Sequence, residues 1–341
     1  MKEQRESGMQ DYESGNERGL VYGYVLNGRG GARRIQRNEL DILDLQPDET
    51  LWLHWDRSVP EAQQWLRQSS GLNEFACDLL LEEATRPRIV PLIGESLLLF
   101  LRGVNLNPNA VPEDMVSLRV YVDAQRVISL RLRPLKAAAE IQEDLEEGIG
   151  VENTRSLILQ LATYMTSRVD TLVVELAEQL DEMEERVEED ETNLPEHSLI
   201  LGLRKRVASL KRYLAPQRDI YFDLSRQKPA WLVAGGEAEY WSELHNSLTR
   251  NLEELELMRE RVSFLQEVEQ RSVAERTNRT MYLLAIITGF FLPMSFVTGL
   301  LGMNVGGIPG STFSMGFVVA CGAILLIAVF QWWLFRRLRW L

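Results

Sequence analysis

The chain has 341 residues, 45% hydrophobic and 26% charged, with a formal net charge of −13; this holds one large or two small folded domains and excludes a disordered tether. The acidic balance excludes nucleic acid as a partner, because phosphate binding needs a basic surface that releases counterions. Two cysteines, Cys77 and Cys321, build no disulfide framework and match a reducing compartment.

Residues 1–18 read as a flexible tail, polar, of mixed charge and without the apolar stretch of a secretory signal. The soluble part is therefore expected in the cytoplasm. Residues 19–133 predict a cytoplasmic α/β domain with a mixed or antiparallel sheet. Strands are expected at 20–26, 51–55, 88–93, 97–102, 116–122 and 127–132, short runs of Val, Leu, Ile and aromatics bounded by Gly, Pro, Asn or Asp. Helices are expected at 60–68, with Pro60 near its start, and at 73–82, opening on an Asn73 cap. No Gly-rich phosphate loop, Gly-x-Ser-x-Gly or internal repeat occurs in this stretch. No catalysis is expected.

Residues 134–279 change to helical periodicity. A short helix at 134–146 precedes a long one at 154–191 with Leu157, Leu161, Tyr164, Val169, Leu172, Leu176, Leu180, Met183 and Val187 on one face. Asn193, Leu194 and Pro195 break it, and a second helix returns over 196–225. The end of the first, 181–191, has eight carboxylates in eleven residues, and the returning helix carries Arg204, Lys205, Arg206, Lys211 and Arg212. A hairpin would set these side by side. Two readings stand: a solvated, salt-bridged pair of faces worth little per pair, or a cation-attracting cluster in which Glu184, Glu185, Glu188 and Glu189 raise the local cation concentration. From Trp241 the apolar positions Leu244, Leu248, Leu252, Leu255, Met258, Val262 and Leu265 recur in steps of three and four. No Pro or Gly falls between Glu237 and Gly289, so this stalk is expected to enter the next segment as one helix.

Residues 280–335 form 56 consecutive positions without Asp, Glu, Lys, Arg or His. Two membrane spans account for them, at 280–301 and 313–335, joined by an external loop at 302–312. A span of 22 residues rises about 33 Å, enough for a hydrocarbon core of about 30 Å. Arg271, Arg276 and Arg279 precede the first span, Arg336, Arg337 and Arg339 follow the second, and the loop is uncharged. Both termini, including the basic tail 336–341, are thus expected in the cytoplasm. Trp332, Trp333 and Trp340 fit an interfacial aromatic belt.

Two spans are too few to enclose an aqueous path, so transport implies a homo-oligomer. In the first span Asn278, Met281, Ala285, Thr288, Leu292, Ser295, Gly299 and Gly302 share a small, more polar face. The other side shows Leu283, Ile286, Ile287, Phe290, Phe291 and Val297. The polar face suits a pore lining, with oxygens for a hydrated cation, and it also suits close helix packing. After Gly302 the break frees carbonyls beside Asn304, the leading candidate for a metal-contacting residue at the mouth. His54, His197 and His245 are scattered, without metal-ligand spacing.

Gly302, Met303 and Asn304, at the end of the first of two C-terminal spans and after a long helix and an acidic α/β domain, resemble the CorA superfamily of divalent-cation transporters. The resemblance covers nearly the whole chain. It implies a homopentamer whose ring of Asn304 residues selects a hydrated cation at the outer mouth, with Gly302 and Met303 shaping the turn. The neutral continuation Val305, Gly306, Gly307, Ile308, Pro309, Gly310 departs from the acidic loop of magnesium transporters and is similar to the zinc-transporting ZntB branch. The resemblance therefore implies an α+β cytoplasmic domain, a helical stalk and two C-terminal spans in a bacterial inner membrane. It also implies zinc uptake assisted by the proton gradient, with zinc as cargo and no cofactor. A CorA-type magnesium channel, zinc efflux and a non-conducting membrane-tethered scaffold stand as alternatives. No intramembrane carboxylate or histidine offers a proton relay.

Overall fold

The structure, a computed structural model, describes residues 18–189, 193–226, 229–303 and 314–338. It forms two compact units, one ending at Leu265 and the other beginning at Gln266.

The first unit is built on a seven-stranded sheet: β1 (Leu20–Leu26), β2 (Ala32–Ile35), β3 (Thr50–Asp56), β4 (Arg88–Pro91), β5 (Leu97–Gly103), β6 (Val116–Val122) and β7 (Arg126–Arg131). Their order is β2-β1-β3-β7-β6-β5-β4. All pairs are antiparallel except β3 with β7, in register Leu51 to Arg126 through Asp56 to Arg131. The chain between these two strands includes α1 (Pro60–Gln68) and α2 (Glu74–Leu81), the long crossover a parallel pair requires.

Successive strand residues point to opposite faces, and both faces are buried. On one, Leu51, Leu53, Trp55, Leu98, Phe100 and Ile128 meet Trp65, Leu66, Ala76 and Leu80 of α1 and α2. Asn73 caps α2, its side chain accepting from the Ala76 N–H at 2.8 Å, as expected. The C-terminal end of α2 has no basic residue of its own, and arginines from elsewhere serve its carbonyls. Buried Arg119 donates to Leu80 O at 2.7 Å and Arg57 to Leu81 O at 3.4 Å. Burial, then the nearby Arg57 charge, lowers Arg119 to about 10.

The other face, including Tyr24, Trp52, Leu99, Leu118 and Val120, shares its core with four helices. They are α3 (Lys136–Glu146), α4 (Thr154–Glu189), α5 (His197–Arg226) and α6 (Glu237–Leu301). The buried residues of α6 in this unit include Trp241, Leu244, Leu248, Leu252, Leu255, Met258, Val262 and Leu265, each of the periodic positions. Several hydrogen bonds join sheet to bundle directly, among them those from the Tyr22 hydroxyl to Ala138 O at 3.2 Å and from the Tyr24 hydroxyl to Glu146 Oε1 at 2.8 Å. The Arg102 N–H lies beyond the β4 pairing, which ends at Phe100, and donates to Gln217 Oε1 at 2.7 Å.

Two expectations need correction. The sequence reading omits β2, whose burial falls on Ile35 while Arg33 and Arg34 stay exposed; a four-residue polar edge strand gives no alternating apolar signal. Among the described residues, charge pairs of the helical hairpin also reach other elements. Glu184 and Asp181 bind Arg261 of α6, Arg206 binds Glu113 and Gln179, and Lys211 binds Glu256. The acidic end of α4 is thus tied to the stalk, and Glu184 is no surplus carboxylate.

Within the second unit, α6 continues to Leu301 as one helix through Gly289 and Pro293, and α7 (Gly316–Arg337) packs beside it.

Candidate functional site

Both C-terminal helices are long and apolar enough to cross a membrane. The most apolar window of α6 has none of its residues buried, and that of α7 only 6%. Core helices of a soluble fold would be covered.

Contact between the two helices is confined to one side. Gln331 Nε2 of α7 donates to Gly289 O at 3.1 Å, and the rings of Phe335 and Phe290 lie 6.5 Å apart. Over residues 280–301 of α6 the half-buried positions are Ile286, Gly289, Phe290, Met294 and Val297. The candidate pore-lining residues Asn278, Met281, Ala285, Thr288, Leu292, Ser295 and Gly299 are all exposed. At 3.6 residues per turn they lie on roughly the opposite side of the helix from α7. The second span therefore leaves uncovered the face that carries the polar atoms.

Gly302 and Met303 are exposed at the end of α6, and the Gly302 N–H closes the last turn on Thr298 O at 2.9 Å. Asn304 and the neutral loop through Gly310 lie outside the described residues, as does Trp340. At the far end of α7, Arg336 stacks 5.5 Å over Trp332 and Arg337 5.3 Å over Trp333, a cationic and aromatic end suited to the headgroup region.

Of the acidic cluster, Glu185, Glu188 and Glu189 are exposed. Glu184 is held in a two-point contact, both of its oxygens 3.1 Å from Arg261 Nε. These hydrogen bonds, then the Asp181 bond, raise the Arg261 pKa. Among the described residues no group of three or more His, Cys, Asp or Glu is placed to hold a metal ion. His54 is buried in the sheet core, its Nδ1 2.8 Å from Ser129 Oγ and its ring stacked on Tyr22 at 4.8 Å. His245 Nδ1 lies 3.2 Å from Arg218 O. Cys77 is buried and Cys321 exposed on α7, both free.

An open cleft of about 450 Å³ in the soluble unit is lined by Leu45, Ile93, Glu95, Tyr121, Arg126 and Trp231 among others. Sequence reasoning gave no signal for it. The Asp123 carboxylate beside it is already engaged by the Tyr121 hydroxyl at 3.0 Å and Arg126 Nε at 2.9 Å, which leaves it little capacity for a ligand.

A sheet and helix-bundle unit followed by two bare apolar helices long enough to cross a membrane defines the class: a two-span membrane protein. The chain belongs to the family of CorA-like Mg2+ transporter proteins, which it matches over residues 47–337. It is therefore a divalent cation transporter and not an enzyme. It is 67% identical over 333 residues to the divalent cation transporter CmaX of Pseudomonas aeruginosa, covering 98% of this chain and 100% of that one. It is 32% identical over 324 residues to the zinc transport protein ZntB of Pectobacterium atrosepticum, covering 95% and 96%. The structure of full-length CmaX matches with a TM-score of 0.83 at 66% identity, over 96% of this chain and 100% of that one. The CorA magnesium transporter of Methanocaldococcus jannaschii matches with a TM-score of 0.74 at 16% identity, over 94% and 98%, a likeness of fold.

Proposed function

We propose that this protein carries zinc into the cytoplasm, assisted by the proton gradient, through a homopentameric path in a bacterial inner membrane with both termini inside. The observation that carries the reading is the bare, polar face of the first span, from Asn278 through Thr288 and Ser295 to Gly299. Two spans enclose no path, so the face needs neighbouring copies, and their rings of hydroxyl and amide oxygens suit a cation that keeps its water. Gly302, Met303 and Asn304 then form the outer mouth, where Asn304 meets the hydrated ion. Glu185, Glu188 and Glu189 hold exposed negative charge in the soluble unit that raises the local cation concentration.

Zinc is favoured over magnesium by the loop of Val305, Gly306, Gly307, Ile308, Pro309 and Gly310. Without carboxylates at the mouth, attraction of the strongly hydrated magnesium ion loses its main source. The 32% identity to a zinc transport protein supports the same cargo. Magnesium is the second reading, supported by the family to which the chain belongs.

Purified protein in liposomes, with internal zinc, magnesium and pH dyes read in parallel, tests this. Zinc flux that exceeds magnesium flux and weakens when the pH gradient is collapsed is expected, as is its loss on Asn304→Ala. Magnesium flux exceeding zinc flux overturns the cargo, and indifference to the pH gradient overturns proton assistance. No flux of either ion overturns transport and leaves a scaffold.

A further inference from the structure

Pro293 lies inside α6. Proline has no N–H to give to the carbonyl four residues before it, which here is that of Gly289. In hydrocarbon an orphaned carbonyl is costly until another donor reaches it. The donor is on the other span: Gln331 Nε2, 3.1 Å from Gly289 O. Gln331 and Phe335 are the two buried residues of α7. Gly289 makes the approach possible, since a Cβ there would stand 3.1 Å from Phe335 Cζ. Gln331 Oε1 is buried without a partner among the described residues, and the reversed amide would set two oxygens against each other. The Nε2 bond alone fixes the amide.

We propose that Gln331 is a positioning residue for transport, its amide standing in for the missing Pro293 N–H and fixing the first span where its hydrogen-bond ladder is open. This rests on the reading that the first span lines the path. With the amide in place, Thr288 and Ser295, on either side of Gly289 and Pro293, keep one register along the polar face. Without it the Gly289 carbonyl seeks other donors through local 3-10 or π rearrangement, and the two halves of the face rotate relative to each other.

A double-mutant cycle in the full chain tests this. Pro293→Ala restores the backbone donor for Gly289 O and makes the amide redundant. Gln331→Leu alone should lower the maximal zinc or magnesium flux into liposomes about three- to tenfold, the range expected for one interhelical hydrogen bond in a membrane. The half-saturating concentration and the zinc-to-magnesium preference should stay unchanged. In the Pro293→Ala background the same substitution should change flux less than about twofold. Equal losses in both backgrounds, or a change confined to half-saturation, overturn the proposal. The melting temperature of the purified protein gives a second cycle that needs no flux. Should the wild type conduct nothing, the conducting reading fails, while coupled melting supports the pin and additive melting overturns it. Membrane expression of Gln331→Leu that fails alone and recovers with Pro293→Ala supports the pin, and failure in both backgrounds overturns it.

Discussion

His54 sits with its ring stacked on Tyr22, its Nδ1 bonded to the Ser129 hydroxyl, its Nε2 buried without a partner among the described residues and the Arg131 charge nearby. A second ring proton would have no acceptor and would face a like charge. Burial first, then Arg131, holds its pKa well below the ordinary 6.5. The folded state therefore refuses a proton that the unfolded chain accepts. Stability is unaffected above about pH 6.5 and falls by up to about 1.4 kcal/mol per pH unit below it. His54→Phe keeps the stack and loses the Ser129 bond, at about 1 kcal/mol near pH 7.5. The variant should overtake the wild type by pH 5, where the wild type has lost up to about 2 kcal/mol; melting of the purified protein at the two pH values reads this, and a constant difference would refute it. From sequence this residue could be placed only as a histidine without metal-ligand spacing. Glu184 gives the same lesson, because nothing local separates it from Glu185, and its partner Arg261 lies 77 residues away. Asn73 was legible because a cap and its N–H are three residues apart.

At the scale of elements, period decides what a sequence reveals. The stalk positions from Trp241 to Leu265 could be named because a helix burying one side must place apolar residues every three or four steps, and those positions are buried. The strands were legible where both faces are covered, since the burial of β3, β5 and β6 is nearly unbroken and needs continuous apolar runs. Which strand neighbours which was not legible, because the β3 to β7 pairing depends on contacts more than seventy residues apart. Two leucines of α6 isolate the effect of phase. Leu255 is fully buried, and Leu257, two positions on, is 49% exposed. Leu255→Ala should cost about 2–5 kcal/mol, from lost burial and the cavity left behind, and Leu257→Ala less than about 1 kcal/mol. Denaturant melts of the full-length protein distinguish them, and equal costs would contradict the observed packing of α6.

For the whole molecule the decisive quantity is surface that one chain leaves uncovered. The apolar windows of both spans are almost bare, so lipid or further copies must cover them, and the polar face of the first span is a poor match for lipid. That face was visible in the sequence as small residues at helical spacing before an uncharged loop; the Gln331 to Gly289 contact was not, because it joins positions 42 residues apart. If five copies turn the polar face to a common axis, position 295 meets water and position 287, also exposed in the single chain, meets lipid or protein. Cys321→Ala removes the exposed thiol of α7. Cys77 can remain, because it is buried and burial raises its pKa, which leaves little reactive thiolate. In that background a positively charged, water-soluble thiol reagent should abolish flux through Ser295→Cys, since a fixed cation in the path repels the next one. Ile287→Cys should conduct unchanged after the same treatment, and the native mass of the detergent-solubilised protein should be that of five chains. Block at Ile287→Cys without block at Ser295→Cys would move the path by roughly 80° around the helix, away from the polar face.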